Sequence, residues 1–198
     1  MRLIVGLGNP GSQYAGTRHN VGFLVANHLA DRWAIHIRQT ACRAKVGEGI
    51  VHGHSVGLAL PQTRMNSSGE AVQCLLKRWR VEPSNLLVVC DDVSLPLGMI
   101  RCRPKGSDGG HHGLASVLEH LHTDQVARLR VGIKTNPMGE DLTAFVLGRF
   151  RSGEKKLLAE SLEACVKACE VWVLRGLSAA MNLFNKKARE VERVKMGS

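Results

Sequence analysis

Apart from their first residues, the stretches 2–7 (RLIVGL) and 85–90 (NLLVVC) are unbroken apolar runs. A half-buried strand alternates; a strand that is apolar on both faces has to be covered on both, and the usual solution is a sheet with parallel central strands under two layers of helix. The intervening pattern supplies such helices. In 21–33 (VGFLVANHLADRW), Val21, Leu24, Val25, His28, Leu29 and Trp33 recur near helical spacing. A second helix is expected over about 67–80, opened by a Ser67-x-x-Glu70 capping box. A third is expected over 112–122, a long one over 153–174, and a further one from about 178. Strand-like pieces fall at 35–38, 44–51, 55–60 and 99–103. The run 127–133 (ARLRVGI) alternates apolar and charged residues, as an exposed or partner-facing strand does. With no internal repeat and no composition break, the expectation is one α/β domain over residues 1–185, built on a mixed sheet, and a charged, frayed tail at 186–198.

The first apolar run leads into GLGNPGSQYAGTRHN, where Gly6, Gly8 and Gly11 match G-x-G-x-x-G, the dinucleotide-binding pattern. The surroundings argue against that use. A dinucleotide loop turns directly into the helix whose N-terminus holds the pyrophosphate. Here Asn9-Pro10 and SQYAGTRH keep the chain irregular for about ten residues, and a residue before proline avoids the helical region. The acidic residue at roughly the right distance, Asp31, falls inside the first helix rather than after a second strand. What remains is a polar loop at the C-terminal end of a strand, the edge where sites form in open α/β sheets, carrying Asn9, Tyr14, Arg18, His19 and Asn20.

Charge narrows the partner. The 198 residues hold 27 Lys and Arg against 17 Asp and Glu, a net charge of +10 with a pI near 9.7. An excess of that size suits a polyanion better than a neutral metabolite. No apolar run approaches a membrane span, and the N-terminus lacks the apolar core of a signal peptide, so a cytoplasmic protein without a membrane partner is expected. The six cysteines form no C-x-x-C pair and read as reduced, structural residues.

Three further polar clusters stand at element ends. LPQTRMNSSGEAV places Asn66 at a strand-to-helix junction. NLLVVCDDVSLPLG places Asp91 and Asp92 past a buried strand, where a carboxylate can turn towards a histidine and set its tautomer. RCRPKGSDGGHHGLASVL combines Arg101, Arg103 and Lys105 with a glycine-rich loop and then His111 and His112, a combination suited to covering an anionic ligand. The close histidine pairs lack metal-site spacing, so neither metal nor cofactor is expected. G-x-S-x-G is absent. A His-Asp pair without a nucleophile points to a general base that activates water.

GLGNPGSQYAGTRHNVGF, TRMNSSGEAV, DDVSLPLG and GSDGGHHGL, in this order and at these separations, resemble the bacterial-type peptidyl-tRNA hydrolases over nearly the whole chain. The resemblance implies a monomeric esterase with a single α/β/α domain around a mixed, mostly parallel twisted sheet. It implies peptidyl-tRNA as substrate, gripped at its acceptor stem and CCA end, with no obligate protein partner. Carried over by position, His19 is the general base, Asp91 its partner, and Asn9 a hydrogen-bonding group beside the scissile ester. Tyr14, Arg64 and Asn66 line the pocket for the peptidyl-adenosine end, and Arg103 and Arg130 hold the tRNA 5′-phosphate. This chain departs from the family pattern twice. His112 stands where the family has an asparagine that binds the tRNA end, and Arg64 stands where it has an aromatic or less charged residue. Imidazole does not offer an amide's NH₂ and C=O together. A non-catalytic RNA-binding relative is the competing expectation, and a dinucleotide oxidoreductase a distant third.

Overall fold

In the computed structural model, residues 1–136 and 141–185 are described. Seven strands form one sheet: β1 (Arg2–Gly6), β2 (Gln39–Ala41), β3 (Ala44–Val51), β4 (His54–Pro61), β5 (Leu86–Pro96), β6 (Ile100–Arg103) and β7 (Ala127–Lys134). Their order is β2-β3-β4-β1-β5-β7-β6. The four central strands, β4, β1, β5 and β7, run parallel, and the antiparallel pairings of β2, β3 and β6 lie outside them. The two runs that are apolar on both faces are thus adjacent at the centre, Leu3 opposite Leu86 and Val5 opposite Val88.

Helices α1 (Val21–Arg32) and α5 (Lys155–Arg175) cover one face, and α2 (Ser68–Trp79) and α3 (His112–Leu121) the other. Alternate residues of the strands serve the two layers. Ile4, Leu58, Leu87, Val89 and Leu129 meet Val25, Leu29, Cys165 and Trp172, while Leu3, Val5, Leu86 and Val88 meet Val72, Leu75, Leu114 and Val117. A short helix, α4 (Leu142–Leu147), and a last one, α6 (177–185), complete the described chain. The expected tail at 186–198 lies outside the described residues. No described helix is long and apolar enough to cross a membrane.

The glycines of the first loop serve packing. A Cβ on Gly6 would lie 2.2 Å from the carbonyl oxygen of Gly22, and one on Gly22 would lie 2.5 Å from Val89 O. α1 therefore sits closer to β1 and β5 than any side chain permits. The helix opens only at Val21, after two three-residue 3₁₀ turns, so no phosphate cradle forms at the strand end.

Several local expectations are corrected. Residues 35–38 are irregular, and the strand there is β2 at Gln39–Ala41. Ser67 caps nothing with its side chain; Glu70 turns to Arg43 instead of closing a capping box, and a 3₁₀ turn at Met65–Ser67 leads into α2. The charged alternation of β7 does not mark an exposed strand. β7 lies inside the sheet, and Arg128 is 1 % exposed. Its guanidinium donates to the carbonyls of Val126, Gly106, Ser107 and Asp124, so a buried cation organises the glycine-rich loop from below. The cysteines are not all reduced. The two-residue turn between β2 and β3, with Cys42 and Arg43 both at positive φ, brings Cys42 to α2, where it forms a disulfide with Cys74. Cys90, Cys102, Cys165 and Cys169 are buried thiols, as core residues should be. Burial pushes the thiols of Cys90 and Cys102 up to about 12.

Candidate active site

The C-terminal ends of the parallel strands open into a cleft of about 820 Å³. The loop after β1 brings Asn9, Tyr14 and His19 to it; the segment after β4 brings Arg64 and Asn66; the end of β5 brings Asp91 and Asp92; and the start of α3 brings His111 and His112. Three of these stretches converge because the parallel strands β1, β4 and β5 all end on one edge, and the fourth is brought back to that edge by the glycine-rich loop after the antiparallel β6.

At the floor, His19 Nδ1 lies 2.9 Å from Asp91 Oδ1, and His111 Nε2 lies 3.0 Å from the same oxygen. All three side chains are largely buried, at 11 %, 4 % and 7 % exposure for His19, Asp91 and His111. Burial by itself raises the Asp91 carboxyl, but the charge and hydrogen bonds of His111 and then His19 outweigh it and hold Asp91 well below the usual carboxylate range. An ionised Asp91 is acceptor-only, so His19 carries its proton on Nδ1 and keeps a lone pair on Nε2. His111 is set from its other side: its Nδ1 accepts the Leu114 N–H at 3.1 Å, which leaves the proton on Nε2.

His19, Asp91 and His111 offer ligand atoms within 4.8 Å of one another, the one such group found among the described residues. The donor set does not fit an ion. The Leu114 amide occupies the His111 Nδ1 lone pair, so Nε2 has a proton and no lone pair to give unless the ring becomes an imidazolate.

Asn9 is oriented as completely as the histidines. Its Oδ1 accepts the Met65 N–H at 2.9 Å, so its NH₂ group is the end left for the cleft it lines. Asn20 stands at the N-terminal end of α1 but makes no side-chain cap bond. Its amide instead brackets the Asn9 backbone, accepting from N and donating to O, both at 2.9 Å. Arg18 pins the same loop to the far wall: it pairs with Glu154 at 2.7 Å and stacks on Phe145 and Phe150.

Arg130 lines the cleft with its Nε 3.0 Å from Asp92 Oδ2, and Asp92 Oδ1 accepts from the backbone and hydroxyl of Ser94. Asp92 is thus 4 % exposed and paired, with Arg130 rather than with a histidine. Arg103 stands apart. It is exposed on β6 opposite Arg128, three residues below the level at which Asp91 faces Val131, roughly 10 Å along the strands. Sequence reasoning singled out neither His111 as Asp91's second partner nor α4. α4 turns Val146 and Leu147 to the cleft opposite the polar groups, and six residues are too few for an apolar period to be read. For His111 the available signal was position: a histidine directly before a helix, where a side-chain acceptor caps the first turn.

A family model described as peptidyl-tRNA hydrolase matches residues 3–192. The chain belongs to the peptidyl-tRNA hydrolase family. The peptidyl-tRNA hydrolase of Halalkalibacterium halodurans is 45 % identical over 185 residues, covering 93 % of this chain and 100 % of its own. That of a Synechococcus strain is 46 % identical over 186 residues, covering 93 % of this chain and 83 % of its own. The crystal structure of peptidyl-tRNA hydrolase from Acinetobacter baumannii superposes with a TM-score of 0.87 at 36 % identity, covering 93 % of this chain and 94 % of that one. The α/β fold with its mixed sheet is thus a fold of peptidyl-tRNA hydrolases.

Proposed function

We propose that the protein hydrolyses the ester joining a peptide to the 3′-terminal ribose of tRNA, using a water activated by His19. The observation that carries the mechanism is the 2.9 Å contact from His19 Nδ1 to Asp91 Oδ1, which leaves Nε2 as a base at the cleft. Water held at Nε2 loses a proton to it as the oxygen attacks the ester carbonyl. The tetrahedral adduct collapses with loss of the ribose 3′-oxygen, which takes the proton back from His19. Asp91 stays ionised throughout and stabilises the imidazolium that forms between the two transfers. An ester needs no stronger nucleophile than this. The family membership and the net charge of +10 support a tRNA-linked ester over a small one.

The other residues take roles suited to their places. The Asn9 NH₂ donates to the peptide carbonyl beside the ester, so a substrate whose amino group is blocked as an amide is favoured over a free aminoacyl ester. Tyr14, Arg64, Asn66 and His112 receive the terminal nucleotide and the peptide's last residue, against the apolar wall of α4. Arg130 and, farther down the sheet, Arg103 bind tRNA phosphate. The protein acts alone in this reading, as a monomer. The test compares N-acetyl-aminoacyl-tRNA with free aminoacyl-tRNA in steady state. Release of the blocked amino acid is expected at least a hundredfold faster. Equal rates would remove Asn9's assigned role, and no release at all would leave an RNA-binding protein without turnover.

A further inference from the structure

We propose that His111 is a positioning residue for the hydrolytic step: by donating to the same Asp91 oxygen that orients His19, it fixes that carboxylate and limits its pull on the His19 imidazole. This rests on the hydrolase reading above and adds to it a second histidine that never touches the substrate bond.

The geometry is specific. One oxygen, Asp91 Oδ1, takes both donors, at 2.9 Å from His19 and 3.0 Å from His111. Electron density on that oxygen is shared, so each N–H that binds it weakens its attraction for the other. The His111 ring cannot turn away. Leu114 N–H holds its Nδ1, and Gly113 packs so closely that a Cβ there would lie 3.1 Å from the ring's Cε1. The His19 and His111 rings stand 4.7 Å apart at 45°. Among the described residues, Arg64, His112 and Tyr14 also line this cleft, but none of them is bonded to Asp91, whose side-chain hydrogen bonds go to His19 and His111. Asp92 and Arg130 line the same cleft but are paired with each other at 3.0 Å, Asp108 is on the cleft rim, and Cys90 precedes Asp91 on β5 as a buried thiol. His111 is therefore the group that sets how much of Asp91 is left for His19.

The two nitrogens of His111 do separable work, and two amides mimic them one at a time. Asparagine places an acceptor where Nδ1 caps Leu114 but cannot reach Asp91. Glutamine reaches Asp91 with a donor but gives up the cap. With His111→Asn, the whole of Asp91 Oδ1 faces His19, the imidazolium is stabilised relative to wild type, and the acid limb of kcat/KM moves to higher pH by about half a unit. kcat falls about tenfold with KM within twofold, and the thermal midpoint stays close to wild type. His111→Gln lowers the thermal midpoint yet returns the acid limb to wild type. A merely structural residue would give the opposite order, with activity following the midpoint. An unmoved acid limb in His111→Asn, or a limb in folded His111→Gln that matches the Asn variant, overturns the proposal. Long-range ¹⁵N–¹H NMR of the wild-type imidazoles decides it without any variant: His111 is expected as the Nε2–H tautomer at pH 7.5, and an Nδ1–H tautomer contradicts it. Absence of cleavage by the wild type would instead count against the hydrolase reading, with the NMR result still deciding the arrangement around Asp91.

Discussion

Asp91→Asn separates charge from shape at the floor of the cleft. The side chain keeps its size, and its oxygen can still accept from one imidazole. What disappears is the negative charge facing His19 as that ring takes a proton. A unit pair about 4 Å apart at an effective dielectric near 20 is worth about 4 kcal/mol. A neutral hydrogen bond to the amide restores about 1 kcal/mol, leaving a loss of about 3 kcal/mol, or roughly a hundredfold in kcat. The amide can also present its NH₂ to Nδ1, which moves the His19 proton to Nε2 and deepens the loss. KM should change little, because Asp91 is 4 % exposed and sits beneath the histidines. Stability supplies a second reading. Since the Asp91 carboxyl is held below its usual range, wild type has its full contribution above about pH 4 and loses it as pH falls further. The stability difference between wild type and Asp91→Asn, followed by urea unfolding, should shrink as pH falls below about 4. A fall in kcat of less than tenfold, or a loss seen in KM alone, would refute the charge argument.

Arg103→Ala, exposed and away from the cleft, should raise KM, leave kcat near wild type, and lower the slope of log KM against log salt by about 1; an unchanged slope would count against phosphate contact. Arg130→Ala should do the same and also lower the thermal midpoint, because Asp92 is left buried without its cation. His112→Asn should keep or raise activity, and a hundredfold loss would show a site rebuilt around the imidazole. Reducing the Cys42–Cys74 disulfide, or Cys42→Ser, opens a loop with a sequence separation of 32, which by chain entropy is worth about 3–4 kcal/mol. The thermal midpoint should fall by several degrees, and mass-tagged thiols should show the four buried cysteines unlabelled until the protein unfolds.

The sheet was legible because its two central strands carry a pattern that only double coverage explains: 2–7 and 85–90 became neighbours at the centre. The first loop was legible as a non-nucleotide loop because Pro10 and the late start of α1 are local facts. That Asn9, His19 and Asp91 meet in one cleft was reachable from residue type, strand-end position and resemblance. The missed features are tertiary. Nothing in the spacing of Cys42 and Cys74 announces that a tight turn meets a helix. The alternation in β7 signals exposure until the carbonyls of Gly106 and Ser107, some twenty residues earlier in the chain, are found around Arg128. Ser67-x-x-Glu70 has the letters of a capping box, but Arg43 from the turn between β2 and β3 takes Glu70 away from the helix end.

Single-turnover cleavage of N-acetyl-aminoacyl-tRNA by excess enzyme, wild type against His19→Ala, tests the central claim most directly. The wild type should release the blocked amino acid completely, and His19→Ala should be slower by roughly a thousandfold while binding tRNA with similar affinity. Cleavage by His19→Ala within tenfold of wild type would contradict His19 as the base that activates water.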